Sequence, residues 1–85
     1  MTEIEFDVLD ELYFLQSYRY LINTLNMEDS ILKETLFELI EKGWLRCYSS
    51  PTEEIQVEKS VFEKNYSDYH YLASKAGLLA HNSNF

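Results

Sequence analysis

An 85-residue chain with 46% apolar and 15% aromatic residues can bury one compact core and lacks the make-up of a disordered segment. Its single cysteine excludes an internal disulfide, and no apolar run approaches the length of a membrane span. Fifteen acids against seven bases leave a net charge of −8, which repels polyanions such as nucleic acid and favours basic partners.

The chain opens on Met1, Thr2, Glu3, Ile4 and Glu5, acidic and without the basic stretch of a signal peptide, so a soluble, cytoplasmic protein is expected. Thr2 with Glu5 three residues later has the spacing of a capping box. The first helix is predicted to run through Phe6, Val8, Leu9, Leu12, Tyr13 and Leu15, with acids in its first turns, where the helix dipole favours them. Asp7, Asp10 and Glu11 mark an acidic face. In the plain reading that face is solvated; in the sharper one it docks a basic partner.

Ser17 is predicted to start a second helix, with Tyr18, Leu21, Ile22 and Leu25 at i, i+3, i+4 and i+7. Asn23, Thr24 and Asn26 weaken its end, and residues 26–29 turn the chain into a third helix, the layout of a helix-turn-helix. In that third helix Leu32, Leu36, Leu39 and Ile40 recur at helical spacing, and Leu32, Leu36 and Ile40 are assigned to the core. Asp29 or Ser30 supplies the cap, and Gly43 the left-handed stop. The exposed face then carries Ser30, Lys33, Glu34, Phe37, Glu38 and Glu41.

Residues 44–48, with Trp44, Leu45 and Tyr48, have the bulky content of a strand. Pro51 marks a turn, and residues 55–57 alternate like a short strand. Residues 60–66 fit a short helix opened by a Ser60–Glu63 capping box, or an irregular strand. Residues 65–68 turn, and residues 69–73 return as a strand expected to pair antiparallel with residues 44–49. The intervening segment carries Glu53, Glu54, Glu58 and Lys59. Its length and repelling acids predict that residues 51–66 are mobile, or tied down only by Val61 and Phe62. Ser74 caps a last helix over residues 75–81, and residues 82–85 read as a frayed polar tail.

Residues 71–77, Tyr-Leu-Ala-Ser-Lys-Ala-Gly, resemble the Y-x-L-T-x-x-G signature at the end of the wing in MarR- and PadR-type winged-helix regulators. Ser74 stands at the capping threonine, and Ala73 at a usual leucine. Residues 39–45, Leu-Ile-Glu-Lys-Gly-Trp-Leu, are similar to the L-x-x-x-G-L-I that ends the family's recognition helix. The resemblance implies one winged-helix domain over residues 1–85, of class α+β: a three-helix bundle with a helix-turn-helix, a small antiparallel β-wing and a C-terminal helix. It makes the third helix, up to its Gly43 stop, the recognition helix, and Glu53, Glu54, Glu58 and Lys59 part of the wing. Two departures stand out. The wing is longer than the family's short hairpin, and the recognition helix offers Lys33 against Glu28, Glu34, Glu38 and Glu41 where the family presents bases and hydroxyls.

Chemistry-bearing residues are sparse. Cys47 and His70 lie on strands expected to pair, so they are weighed as a nucleophile and its base, or with His81 as a metal site. The plainer reading is a buried strand cysteine and a surface histidine, because no CxxC or HxxxH spacing accompanies them. With two glycines there is no phosphate-binding loop, so neither an enzyme nor a cofactor is expected. Aromatic residues from Tyr13 to Tyr71 serve mainly as core, with Phe14 and Tyr20 as candidate surface anchors.

The preferred reading is a non-enzymatic module that binds another protein through an acidic and aromatic surface. The alternative is a DNA-binding regulator of the winged-helix class acting as a dimer. Charge separates them: a DNA reader needs bases at the start of its recognition helix and in its wing, where this chain places Glu28, Asp29, Glu34 and five acids between residues 49 and 68. No membrane partner is expected. A weak homodimer through the first or last helix is expected from the breadth of the apolar face around Phe6, Tyr13 and Phe14.

Overall fold

The computed structural model describes residues 1–83; Asn84 and Phe85, in the expected frayed tail, lie outside the described residues. Helix α1 spans Glu3–Asp10 and opens on the complete capping box: Thr2 Oγ1 accepts from Glu5 N at 3.1 Å, and Thr2 N donates to Glu5 Oε1 at 2.9 Å. The helix stops at Asp10, five residues before Leu15, although neither glycine nor proline marks the place. Tertiary contacts end it. Leu12 is fully buried and its carbonyl accepts from Ala73 N at 2.9 Å, so the chain is pulled off the helix path. Gln16–Ser17 then forms an unforeseen edge strand, β1.

Helix α2 (Tyr18–Leu25) is capped by Ser17 Oγ, which accepts from Tyr20 N at 3.1 Å. It ends on Asn26 at φ 52°, a left-handed conformation that asparagine tolerates better than most residues. Helix α3 (Asp29–Glu41) starts at Glu28, which makes no capping bond; neither Asp29 nor Ser30 takes that position. The Asp29 carboxylate is occupied elsewhere, by the hydroxyls of Tyr18 and Tyr66. At the other end Gly43, at φ +78°, closes a Schellman motif: Trp44 N donates to Leu39 O at 2.9 Å and Gly43 N to Ile40 O at 3.0 Å.

The strand that follows at once is β2 (Leu45–Ser50), which turns at residues 51–52 into β3 (Glu53–Ile55). Helix α4 (Lys59–Asn65) and a short 3-10 turn (Tyr66–Asp68) lead to β4 (His70–Ala73), and α5 (Lys75–Asn82) closes the described chain. The four strands form one antiparallel sheet in the order β1-β4-β2-β3. The expected pairing holds, with Leu45 opposite Ala73 and Cys47 opposite Tyr71. The molecule is therefore a small α+β domain, with five α-helices among the described residues. No described helix is long and apolar enough to cross a membrane.

Val8 and Leu9, Leu21, and Leu32, Leu36 and Leu39 fill the core from the helices, Leu12 from the segment after α1, while Cys47 and Tyr71 close it from the sheet. Ile40 corrects the expected core set. It lies at the periphery, packed against the core but part-exposed, and Leu39 takes the interior place. Helix α4 starts one residue earlier than expected, at a Glu58 cap position without a capping bond, and the Ser60–Glu63 box is not made. One helix turn decides its anchor: Phe62 is 1% exposed, whereas Val61 is 44% exposed and holds nothing down.

Helix α5 is fastened at its start. Ser74 Oγ accepts from Gly77 N at 3.1 Å and donates to Gly43 O at 2.6 Å, while Ser74 N donates to Trp44 O at 2.9 Å. These bonds bring α5 onto the α3–β2 junction so closely that a Cβ at Gly77 would lie 2.1 Å from Trp44 O.

Candidate functional site

The exposed face of α3 does not stand free. Helix α4 and the 3-10 turn lie along it, with the Phe37 and Phe62 ring centroids 5.2 Å apart. Lys33 Nζ sits over the Tyr66 ring, 5.5 Å from its centroid, and the Tyr66 hydroxyl donates to Asp29 Oδ2 at 2.6 Å. Asp29 also receives the Tyr18 hydroxyl, so one carboxylate joins α2, α3 and the turn after α4. Those two hydroxyls, Tyr18 first, hold the Asp29 carboxyl below its ordinary range. Burial, then the adjoining Asp29, pushes the Tyr18 phenol up.

Between α3 and α4 runs a groove of about 370 Å³ with Phe37 and Phe62 lining it. Glu34, Glu38 and Glu41 border it from α3 and Glu63 from α4, beside Lys33 and Lys59. Among the described residues, none of these four carboxylates makes an ion pair or a side-chain hydrogen bond. Glu34 and Glu38 are four apart on one helix face, where like charges disfavour the helix by about 0.2–0.5 kcal/mol per pair. The chain thus keeps an unneutralised acidic border against an aromatic lining.

The expected site residues divide accordingly. Lys33, Glu34, Phe37, Glu38 and Glu41 come together on this groove, and Ser30 lies exposed in the first turn of α3. Lys59 also reaches it, as the first residue of α4 and not as part of a wing hairpin. Glu58 precedes α4 and is exposed. Glu53 and Glu54 are apart from the groove on β3, where Glu53 accepts from Ser49 Oγ at 2.6 Å and Glu54 faces Arg46 at 3.8 Å. Phe62 and Glu63 were not among the expected site residues. Their assignment depends on where α4 docks, which no local spacing reveals.

Of the acidic face expected on the first helix, Asp7 and Asp10 stay exposed and Glu11 lies just beyond the helix end, while Glu5 is drawn into the fold. Glu5 is 3% exposed, and its Oε2 receives Lys42 Nζ at 2.5 Å. Burial pushes the Glu5 carboxyl up, but Lys42 and the Thr2 bonds outweigh it and hold the group below its ordinary range. Asp10 Oδ1 binds His81 Nε2 at 3.0 Å, and Glu11, beyond the end of α1, accepts from the Tyr20 hydroxyl at 3.0 Å. Asp7 remains exposed. His81 itself is 4% exposed, stacked on Phe6 at 4.2 Å with its Nδ1 2.8 Å from the Tyr13 hydroxyl.

The weighed Cys47–His70 pair is not assembled. Cys47 faces Tyr71 and His70 faces Tyr48, so the two alternate onto opposite faces of the sheet. Burial pushes the Cys47 thiol up to about 12, the reverse of an activated nucleophile. His81 sits at the α1–α5 contact, and no cluster of three metal-ligating side chains occurs among the described residues. No protein-family model, curated protein or solved structure matches the chain.

Proposed function

We propose that this chain is a non-enzymatic winged-helix module that binds a basic protein surface and does not bind duplex DNA by itself. The order of α1, α2, α3, the β2–β3 hairpin, β4 and α5 supports the winged-helix reading, since the antiparallel wing strands follow the third helix directly. Strand β1, helix α4 and the 3-10 turn are the described elements outside that order.

The observation that carries the functional reading is α4 docked along α3 through Phe37 and Phe62. A single α-helix with its side chains is about 10–12 Å across, close to the roughly 12 Å width of the DNA major groove. Helices in contact run about 8–10 Å apart, so a paired α3 and α4 is too broad to enter that groove. Charge points the same way. The face bears Glu34, Glu38, Glu41 and Glu63, and the whole chain is at −8. A protein partner rich in lysine and arginine would be drawn to that surface, with the exposed aromatic residues Phe14 and Tyr20 as anchors outside the groove.

Fluorescence anisotropy with labelled random and genomic duplexes, at low and moderate salt, tests the reading. No saturable binding is expected. Affinity of about 10⁻⁴–10⁻⁶ M that falls steeply with salt, and is lost in Lys33→Glu, would overturn it and restore the alternative of a dimeric DNA-binding regulator.

A further inference from the structure

We infer that the groove between α3 and α4 is the docking slot for an arginine side chain of a basic peptide segment in the partner. The inference rests on the protein-binding reading and names its site. Three observations converge on this groove.

First, its acids are available. Glu53 is engaged by Ser49, Glu54 faces Arg46, Glu11 is bound by Tyr20, and Asp10 is bound by His81. Glu34, Glu38, Glu41 and Glu63, by contrast, have no ion-pair partner among the described residues. The groove's own lysines do not neutralise them: Lys33 lies over the Tyr66 ring, and Lys59 makes no ion pair among the described residues. Four carboxylates against two ammonium groups leave the slot acidic.

Second, its lining includes an aromatic face. Phe37 is part-exposed there, next to the buried Phe62. An arginine stem covers apolar surface along its methylenes, and its guanidinium stacks on an aromatic face. Third, the spacing suits a forked donor. Side chains three or four apart on a helix are neighbours, with Cβ atoms about 5–6 Å apart, so Glu34 and Glu38, which border the same groove, are spaced to share one planar guanidinium. Lysine offers a single point of charge and makes poorer use of that pair.

The test follows amide resonances of the full chain during titration with a short acetylated, amidated peptide of alternating arginine and leucine. The lysine–leucine counterpart is run in parallel. Saturable shifts confined to residues 33–41 and 59–63 are expected, stronger for arginine. The double variant Glu34→Gln, Glu38→Gln should bind about tenfold more weakly, as loss of a charged hydrogen-bond acceptor implies. Both positions are exposed, so folding is retained and the free-state spectrum checks it. A charge-matched control, Glu3→Gln with Asp7→Asn, should leave the affinity within about twofold, since those acids lie outside the groove and only screened charge is lost. Equal weakening by both variants, shifts spread over every acidic face, equal affinity for the lysine peptide, or no saturation would overturn the assignment. Saturable shifts on another surface would remove the slot and leave the protein-binding reading in place. That reading falls only to the duplex titration.

Discussion

Replacing Gly77 by alanine tests the packing of α5 against the α3–β2 junction. Intrinsic helix propensity alone favours the substitution by about 0.8–1 kcal/mol. The structure reverses the sign. The added methyl would lie 2.1 Å from Trp44 O and 3.0 Å from the Trp44 carbonyl carbon, both backbone atoms that cannot swing aside. Trp44 O is also held by Ser74 N at 2.9 Å, at the start of the same helix. Relief requires α5 to move off by about an ångström, which weakens that bond, worth about 0.5–1.5 kcal/mol, and adds an overpacking cost of about 1–3 kcal/mol. With the propensity gain subtracted, the net destabilisation is about 0.5–3.7 kcal/mol. In a domain of this size, that lowers the melting temperature by about 4–8 °C per kcal/mol. Urea unfolding followed by far-UV circular dichroism measures it, the midpoint falling with the slope unchanged. A variant as stable as the parent, or more so, would refute the close approach of α5 to Trp44.

Glu5 gives a pH signature. Its carboxyl titrates lower in the fold than in the unfolded chain, so its contribution is fully present above the unfolded value of about 4.3 and is lost as pH falls through the lower folded value. The stability gap between the parent and Glu5→Gln should therefore be constant from neutral pH to about 5 and close below about 4.3, read from denaturant midpoints across that range. Phe62→Ala should cost about 3–5 kcal/mol and accelerate hydrogen exchange in α4 more than in α1; an unchanged midpoint would remove Phe62 from the core. We expect weak self-association through α1 or α5, where Ile4 is 41% and Leu79 61% exposed. Light scattering over a concentration series checks it, and a constant monomer mass would end that expectation.

Most of the elements were legible because their signals are local. Thr2, Ser17 and Ser74 cap helices where their spacing puts them, and Gly43 stops α3 with the left-handed turn only glycine adopts easily. The β2–β4 pairing follows from that stop. The end of α1 was not legible. Helix-forming residues continue past Asp10, and it is Ala73, some sixty residues away, that draws Leu12 onto the sheet. The burial of Glu5 was not legible either, for a related reason. Its capping role is local, but its burial depends on Lys42 arriving from the end of α3.

The groove was half legible. Residues 33, 34, 37, 38 and 41 share a face by helical spacing alone, so the α3 side could be named. The α4 side could not. Val61 and Phe62 are adjacent and equally apolar, and which one is buried depends on how α4 turns toward Phe37. Lys59 reads as a wing residue because the Ser60–Glu63 spacing puts the helix start one residue later, and nothing local shows that this helix docks on α3.

Proton–proton contacts in solution measure directly whether α4 lies along α3. Nuclear Overhauser effects between the Phe37 and Phe62 rings, with centroids 5.2 Å apart, and between the Lys33 side chain and the Tyr66 ring are expected in the free protein. They should persist unchanged when duplex DNA is added. Their absence in the free protein, or their loss on adding duplex, would mean that α3 presents a bare face to DNA, and would contradict the account.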